Sequence, residues 1–277
     1  MKNARTDMAE ELRRQHAEDI YGVECKEEIL HGMSVFSVNI ENENGAKVIG
    51  KPIGKYHTLC LPKWFDRGSE FFIDAVYAMA ELINRCFPNK HDNVLIAALG
   101  NPDITPDALG SLTAESVLVT RHLKESDKEK FSRFCSLALC RTGVLGTTGI
   151  ESAVQISMLC RELKPDLVIV VDALAGAEAD RLCRSVQVSN SGICPGSGVG
   201  NDRKEISFST LGVPVISIGI PTVIDAGYFG GDILNGMFVT PRDIDSLVRA
   251  GGRLIGYAIN IALHEGLNIE DVDALLG

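Results

Sequence analysis

The chain has 277 residues, 45% of them apolar and 23% charged, which excludes a mostly disordered protein and leaves room for one large α/β unit or two small ones. A formal net charge of −10 argues against direct nucleic-acid binding, which needs clustered Lys and Arg to displace counterions. No uncharged apolar run reaches the roughly 20 residues that span a bilayer, so no membrane partner is expected.

Residues 1–20 are charged and helix-prone, and MKNARTDMAEELRRQ lacks the apolar stretch of a secretory signal. Met33–Ile40 carries β-branched and aromatic residues at strand density. Asn44-Gly45 then reads as a turn into further strand, AKVIGKPIGKYHTLCL. Between Ser69 and Asn84, Phe72, Val76, Met79 and Ile83 recur at helical spacing. Four short apolar runs follow: Asn93–Leu99 (stopped by Gly100-Asn101), Leu137–Leu139, Leu167–Val171 and Val213–Ile218. Strands apolar on both faces belong in a parallel sheet covered above and below, and Ile150–Leu163 supplies one crossover helix. Near the end, Thr240 predicts an N-cap and Pro241 a first helical residue, before a helix with its apolar face on Ile244, Val248, Ile255 and Ile259. The fold class expected is α/β, a doubly wound, mostly parallel sheet flanked by helices, with a small antiparallel β addition from residues 33–60.

Eight cysteines are scattered through the chain, none in a CxxC pair, so neither a zinc knuckle nor a thiol-redox motif is supported. Cysteines in apolar surroundings, such as Cys60 and Cys160, read as reduced thiols in a cytoplasmic compartment. No His or Cys cluster implies a bound metal, and nothing calls for a cofactor.

In open α/β sheets functional groups collect beyond the carboxyl ends of the strands. Asp172 directly follows LVIVV, and Asp107 lies shortly after NVLIAAL in GNPDITPDALG. With Thr105 as N-cap and Pro106 at the first helical position, Asp107 falls in the first turn of a short helix, where the helix end favours its ionised form. A second carboxylate nearby is pushed toward protonation, and one ionised and one protonated acid suit a hydrolase that activates water. An Asp in such a turn also serves as a plain capping acid, and Asp103 and Asp225 lie near strand ends too, so position alone does not choose. The run Gly192–Gly200 (GICPGSGVG) does not fit a dinucleotide or phosphate loop; its glycines suit a tight loop approaching the active centre. Arg203-Lys204 beside it could bind acidic side chains or form a solvated basic pair.

The blocks LGNPDITPDALGSLTAESVLVTRHL (99–123), GVLGTTGIES (143–152), KPDLVIVVDALA (164–175), VQVSNSGICPGSGVGNDRKEIS (186–207) and LGVPVISIGIPTVIDA (211–226) closely resemble the germination protease family. So do RTDMAEE (5–11), GAKVIGKPIGKY (45–56) and INIALHE (259–265). The resemblance implies a hydrogenase-maturation-peptidase-like core and a homo-oligomeric endopeptidase, a homotetramer, of the forespore and spore core. It implies manufacture as a zymogen and degradation of small acid-soluble spore proteins at germination. The family is described as an atypical aspartic peptidase, and its two essential acids carry over to Asp107 and Asp172 in the matching TPDALG and VDALA blocks. Substrates of the family are cut after the first Glu of a Thr-Glu-(Phe/Ile)-Ala-Ser-Glu segment. Thr6-Asp7-Met8-Ala9-Glu10-Glu11 has a similar pattern, so residues 1–7 are expected to be a propeptide, cut between Asp7 and Met8, with 8–277 the peptidase domain. Arg203 or Lys204 is the expected partner of the acid before the cut. The chain departs from the family in the short connection GYFGGDILNGMF, in Ser111 for a usual proline, in Cys194 for a common histidine, and in Gly176-Ala177-Glu178 for a more basic stretch. Two other readings stay open: a maturation-type or metal-assisted peptidase on another substrate, and a non-catalytic ligand-binding α/β protein.

Overall fold

The computed structural model describes residues 5–62, 67–87, 89, 91–201, 203–230, 234 and 236–277. The first four residues of the expected propeptide and residues 231–233 and 235 of the short connection lie outside them. Helix α1 (Ala9–Arg14) precedes the antiparallel strands β1 (Val23–Leu30) and β2 (Met33–Ile40). Next come helix α2 (Glu43–Ile49), strand β3 (Gly54–Cys60) and the long helix α3 (Phe71–Cys86). Strand β4 (Asn93–Leu99), helices α4 (Leu109–Ala114) and α5 (Arg121–Ser126) and strand β5 (Ser136–Gly143) follow. Helices α6 (Leu145–Thr148) and α7 (Ser152–Leu163) then lead to β6 (Leu167–Gly176) and β7 (Ser185–Ser189). The last part holds α8 (Phe208–Leu211), β8 (Val215–Asp225), α9 (Gly227–Gly230), β9 (Phe238–Val239), α10 (Ile244–Leu263) and α11 (Ile269–Leu276).

The strands of the described residues form one mixed sheet in the order β1-β2-β3-β7-β8-β6-β4-β5, with β9 on β8. Strands β5, β4, β6 and β8 run parallel, and β7, β3, β2 and β1 continue from β8 as antiparallel neighbours. The α/β class is therefore as the apolar runs imply. In the parallel half, alternate residues enter opposite layers. Val94, Ile96, Ile169 and Val171 pack under α3 and α10, whereas Leu95, Ala97, Val168 and Val170 pack under α7. That double burial is why these strands read as unbroken apolar runs.

The antiparallel part is larger than residues 33–60 suggest, because β1 extends it and β7 joins it to the parallel half. The expected turn at Asn44-Gly45 is instead the first part of α2. The Asn42 side chain caps that helix by accepting the Gly45 N–H at 3.0 Å, and Gly50 closes it in the left-handed conformation. Strand β8 runs on to Asp225 past Pro221; the ladder with β6 pairs Pro221 with Leu174 and then passes over Thr222, a bulge directly after the residue that lacks an N–H. Helix α10 starts later than Thr240; that hydroxyl donates to the Thr222 carbonyl at 2.8 Å and ties β9 to β8.

Helix α10 holds the loop after α4 in place. Its fully buried Asn260 accepts the Leu118 N–H at 2.9 Å and donates to the Ser116 carbonyl at 2.8 Å. Asn260→Ala leaves both backbone groups buried without partners and should lower the unfolding free energy in urea by about 2 kcal/mol or more. An unchanged midpoint would show that this bridge does not hold the loop.

Candidate active site

Asp172 lies inside β6, four residues before its end, and is only 5% exposed. It continues the alternation of Val168 and Val170 toward the α7 side of the sheet, where the apolar layer gives way to a cavity. One carboxylate oxygen accepts the Ala173 N–H at 2.9 Å. Asp107 comes from the neighbouring parallel strand: Ala98 of β4 pairs with Val171, and the chain leaves β4 through Gly100 and turns back. Gly100 has φ +94°, and a Cβ there would lie 1.9 Å from the Asp107 carbonyl oxygen, so the turn can close over the strand end only with glycine. Thr105–Asp107 forms a single 3₁₀ turn that begins after Ile104 rather than a helix capped by Thr105. The Asp107 carboxylate is fixed by the Asn101 N–H at 2.7 Å.

Both acids line one cavity of about 630 Å³, walled by Leu145, Ser152, Pro195, Val199 and Phe238 among others. Burial pushes the Asp172 carboxyl well above its ordinary value, and the charges of Asp107 and then Asp7 push it further; the Ala173 N–H opposes them. Asp107 is raised as well, chiefly by burial, with the Asn101 N–H acting against the shift. The arrangement can thus hold one neutral carboxyl beside one that ionises more readily, a proton donor next to a proton acceptor.

Asp7 lines the same cavity, and Met8 beside it is 1% exposed. Arg203 and Lys204 stand in the cavity wall. Of the other strand-end acids, Asp103 is exposed, and Asp225 caps the turn after β8 by accepting the Gly227 N–H at 2.8 Å. Among the described residues, no group of three or more His, Cys, Asp or Glu is placed to hold a metal ion.

The family model described as germination protease matches residues 2–237. The chain belongs to the germination protease family. A germination protease of Caldanaerobacter subterraneus is 36% identical over 98% of both chains, and one of Clostridium perfringens is 35% identical over the full length of both. A germination protease of Geobacillus is 39% identical over 91% of this chain and 69% of its own. A [NiFe] hydrogenase maturation protease, HycI, from Thermococcus kodakarensis overlays 61% of this chain and 93% of its own at 18% identity and a TM-score of 0.35, too slight a likeness to carry an argument. As a germination protease relative, the chain is a peptidase. Among its described residues no helix is long and apolar enough to cross a membrane.

In this peptidase the site also draws on residues that strand-end reasoning misses. Ser197, on the glycine-rich loop, donates to the Asp7 carboxylate at 2.7 Å, and Lys51, from the turn after α2, lies 3.8 Å from it. Gln187 of β7 bonds the backbone on both sides of Met8. The block GAKVIGKPIGKY and the loop GICPGSGVG contain Lys51 and Ser197, but nothing local in them announces Asp7 as a shared partner far away in the chain.

The raised carboxyl of Asp172 has a stability consequence. An aspartate that ionises at its ordinary 3.8 when unfolded, but well above that when folded, leaves the folded chain holding the extra proton between those values. Its effect is absent below 3.8 and becomes increasingly destabilising as pH rises through that window. Asp172→Asn, neutral throughout, should unfold at higher urea than the wild type at pH 7, and the gap should close below about pH 4. A variant less stable than wild type at pH 7 would show that the charged form is not disfavoured there.

Proposed function

We propose that the chain is an endopeptidase that opens the degradation of small acid-soluble spore proteins at germination, using Asp107 as base and Asp172 as acid. The observation that carries this reading is the pair itself: one carboxyl within β6 and one on the turn after the neighbouring β4, lining one cavity, with Asp172 the more strongly held in its neutral form. Asp107 takes a proton from a water whose oxygen bonds to the scissile carbonyl carbon. As the C–N bond breaks, the Asp172 proton passes to the leaving nitrogen, and the two carboxyls then re-equilibrate their protons with solvent. The pairing needs no cofactor.

Family membership supports the spore setting, including a forespore and spore-core location, and a homo-oligomer, a homotetramer, is part of the same proposal. We also propose that residues 1–7 are a propeptide and that the chain cuts itself between Asp7 and Met8, leaving 8–277 as the working domain. The approach of Asp7 to the cavity that holds both acids supports this. Arg203 and Lys204, expected from the sequence to meet the acid before the cut, line that cavity and are proposed to bind acidic side chains of the substrate.

Mass spectrometry of a small acid-soluble spore protein incubated with this chain, with a chelator present, tests the reading. A single cut after a glutamate is expected, together with a new amino terminus at Met8 in the enzyme. Asp107→Asn and Asp172→Asn should each lower the rate by at least about 10²-fold while the fold stays intact. A folded single variant that still cuts at the wild-type rate would remove that residue from the mechanism.

A further inference from the structure

The carboxylate of Asp7 is held as a bound ligand would be. Ala175 of β6 donates its N–H to one oxygen at 2.9 Å, and Ser197 donates its hydroxyl to the other at 2.7 Å. The Lys51 ammonium stands 3.8 Å from that second oxygen. The loop that brings Ser197 in must be bare at the next position: a Cβ on Gly198 would lie 2.2 Å from the first Asp7 oxygen and 2.6 Å from the Ala175 Cβ. Glycine at 198 is therefore what leaves room for a carboxylate.

The main chain around Asp7 is gripped as well. Its N–H donates to the Ala175 carbonyl at 2.9 Å, and its carbonyl accepts the Gln187 side-chain N–H at 3.2 Å. The same Gln187 amide accepts the Ala9 N–H at 2.7 Å, so one side chain clasps the backbone on both sides of the Asp7–Met8 bond. Asp7 also separates two cavities, since it lines both the large one with Asp107 and Asp172 and a smaller one of about 190 Å³ walled by Lys51, Tyr56, Cys194 and Glu205. The smaller cavity and the 3.8 Å gap to Lys51 leave room for a glutamate as well as an aspartate.

We infer that Lys51, Ser197, Gly198 and the Ala175 N–H form the specificity pocket for the acidic side chain on the amino side of the cleaved bond, with Gln187 clasping the backbone there, and that Asp7 fills this pocket in the uncut chain. The inference rests on the peptidase reading of the Asp107–Asp172 pair. Lys51 is the decisive residue. Its burial disfavours its charge, and Asp7 and Cys194 act the other way. Once residues 1–7 leave, a half-buried cation remains without its carboxylate, and an incoming acidic side chain restores the pair. Arg203 and Lys204 share the cavity wall, but among the described residues the Asp7 carboxylate is held by Ala175, Ser197 and Lys51.

The test uses the full chain and two peptides copying residues 3–14, one natural and one carrying Asp7→Asn. Wild type should cut the acid peptide with a kcat/KM at least about tenfold above that for the amide peptide. Lys51→Met and Ser197→Ala should each lower kcat/KM on the acid peptide more than on the amide peptide, by at least about thirtyfold for Lys51→Met, so that the preference collapses. Equal losses on both peptides, in variants whose amino terminus is Met8 as in the wild type, would assign Lys51 and Ser197 a merely structural role and overturn the inference. If wild type whose amino terminus has become Met8 cuts neither peptide, the peptidase reading fails; whether or not the chain has cut itself, the pocket is judged separately by binding of the same fluorescently labelled peptides to the Asp7→Asn chain. Tighter binding of the acid peptide that Lys51→Met removes would uphold the pocket; equal binding would overturn it.

Discussion

The site depends on the cost of charging Asp172. Its carboxyl belongs to a strand of the sheet and is largely shielded from water, with the Ala173 N–H as a backbone donor. One such bond does not repay the desolvation of a carboxylate, and the neighbouring charges of Asp107 and Asp7 add repulsion. The fold thus tolerates a neutral acid at a place where the apolar layer would otherwise continue from Val170. Asp107, fixed by the Asn101 N–H on a turn that only Gly100 permits, completes an unequal pair. The inequality follows from position: one acid is part of a strand, the other lies on a turn beyond a strand end.

The amino-terminal segment shares that constraint. Thr6, Met8, Ala9, Glu10 and Glu11 are all buried, and the charged members are each satisfied. Glu10 pairs with Arg181 at 2.7 Å, while Glu11 accepts the Thr6 hydroxyl and the Ala177 and Glu178 N–H groups. Helix α1 has only six residues and cannot be stable alone, so these contacts, with the packing of Ala9 against Val38, Ile40 and Tyr56, are what hold it. On the proposed cut between Asp7 and Met8, these contacts of Ala9, Glu10 and Glu11 would keep α1 docked.

The parallel half of the fold was legible because burial on both faces writes an unbroken apolar run, as in NVLIAAL and LVIVV. Helices α3 and α10 were legible through their apolar stripes. Strand β1 was not: at the sheet edge, VECKEEIL exposes most of its side chains and looks like a solvated charged stretch. Helix α2 was hidden because Asn44-Gly45 is also a turn signal, and the deciding bond comes from Asn42. That Asp107 and Asp172 would share one cavity was legible from the strand-end rule together with the family's ordered blocks. Lys51, Gln187 and Ser197 could not, since they meet only through Asp7, across separations that no local pattern encodes.

The most direct measurement is a pH titration by carbon NMR of the chain labelled at the aspartate side-chain carboxyl carbons. The account predicts one resonance that stays in its protonated form far above the ordinary aspartate range. That resonance should be lost in Asp172→Asn and should move to lower pH in Asp107→Asn, which removes the neighbouring charge. A spectrum in which every aspartate ionises near pH 4 would contradict the unequal pair on which the catalytic proposal stands.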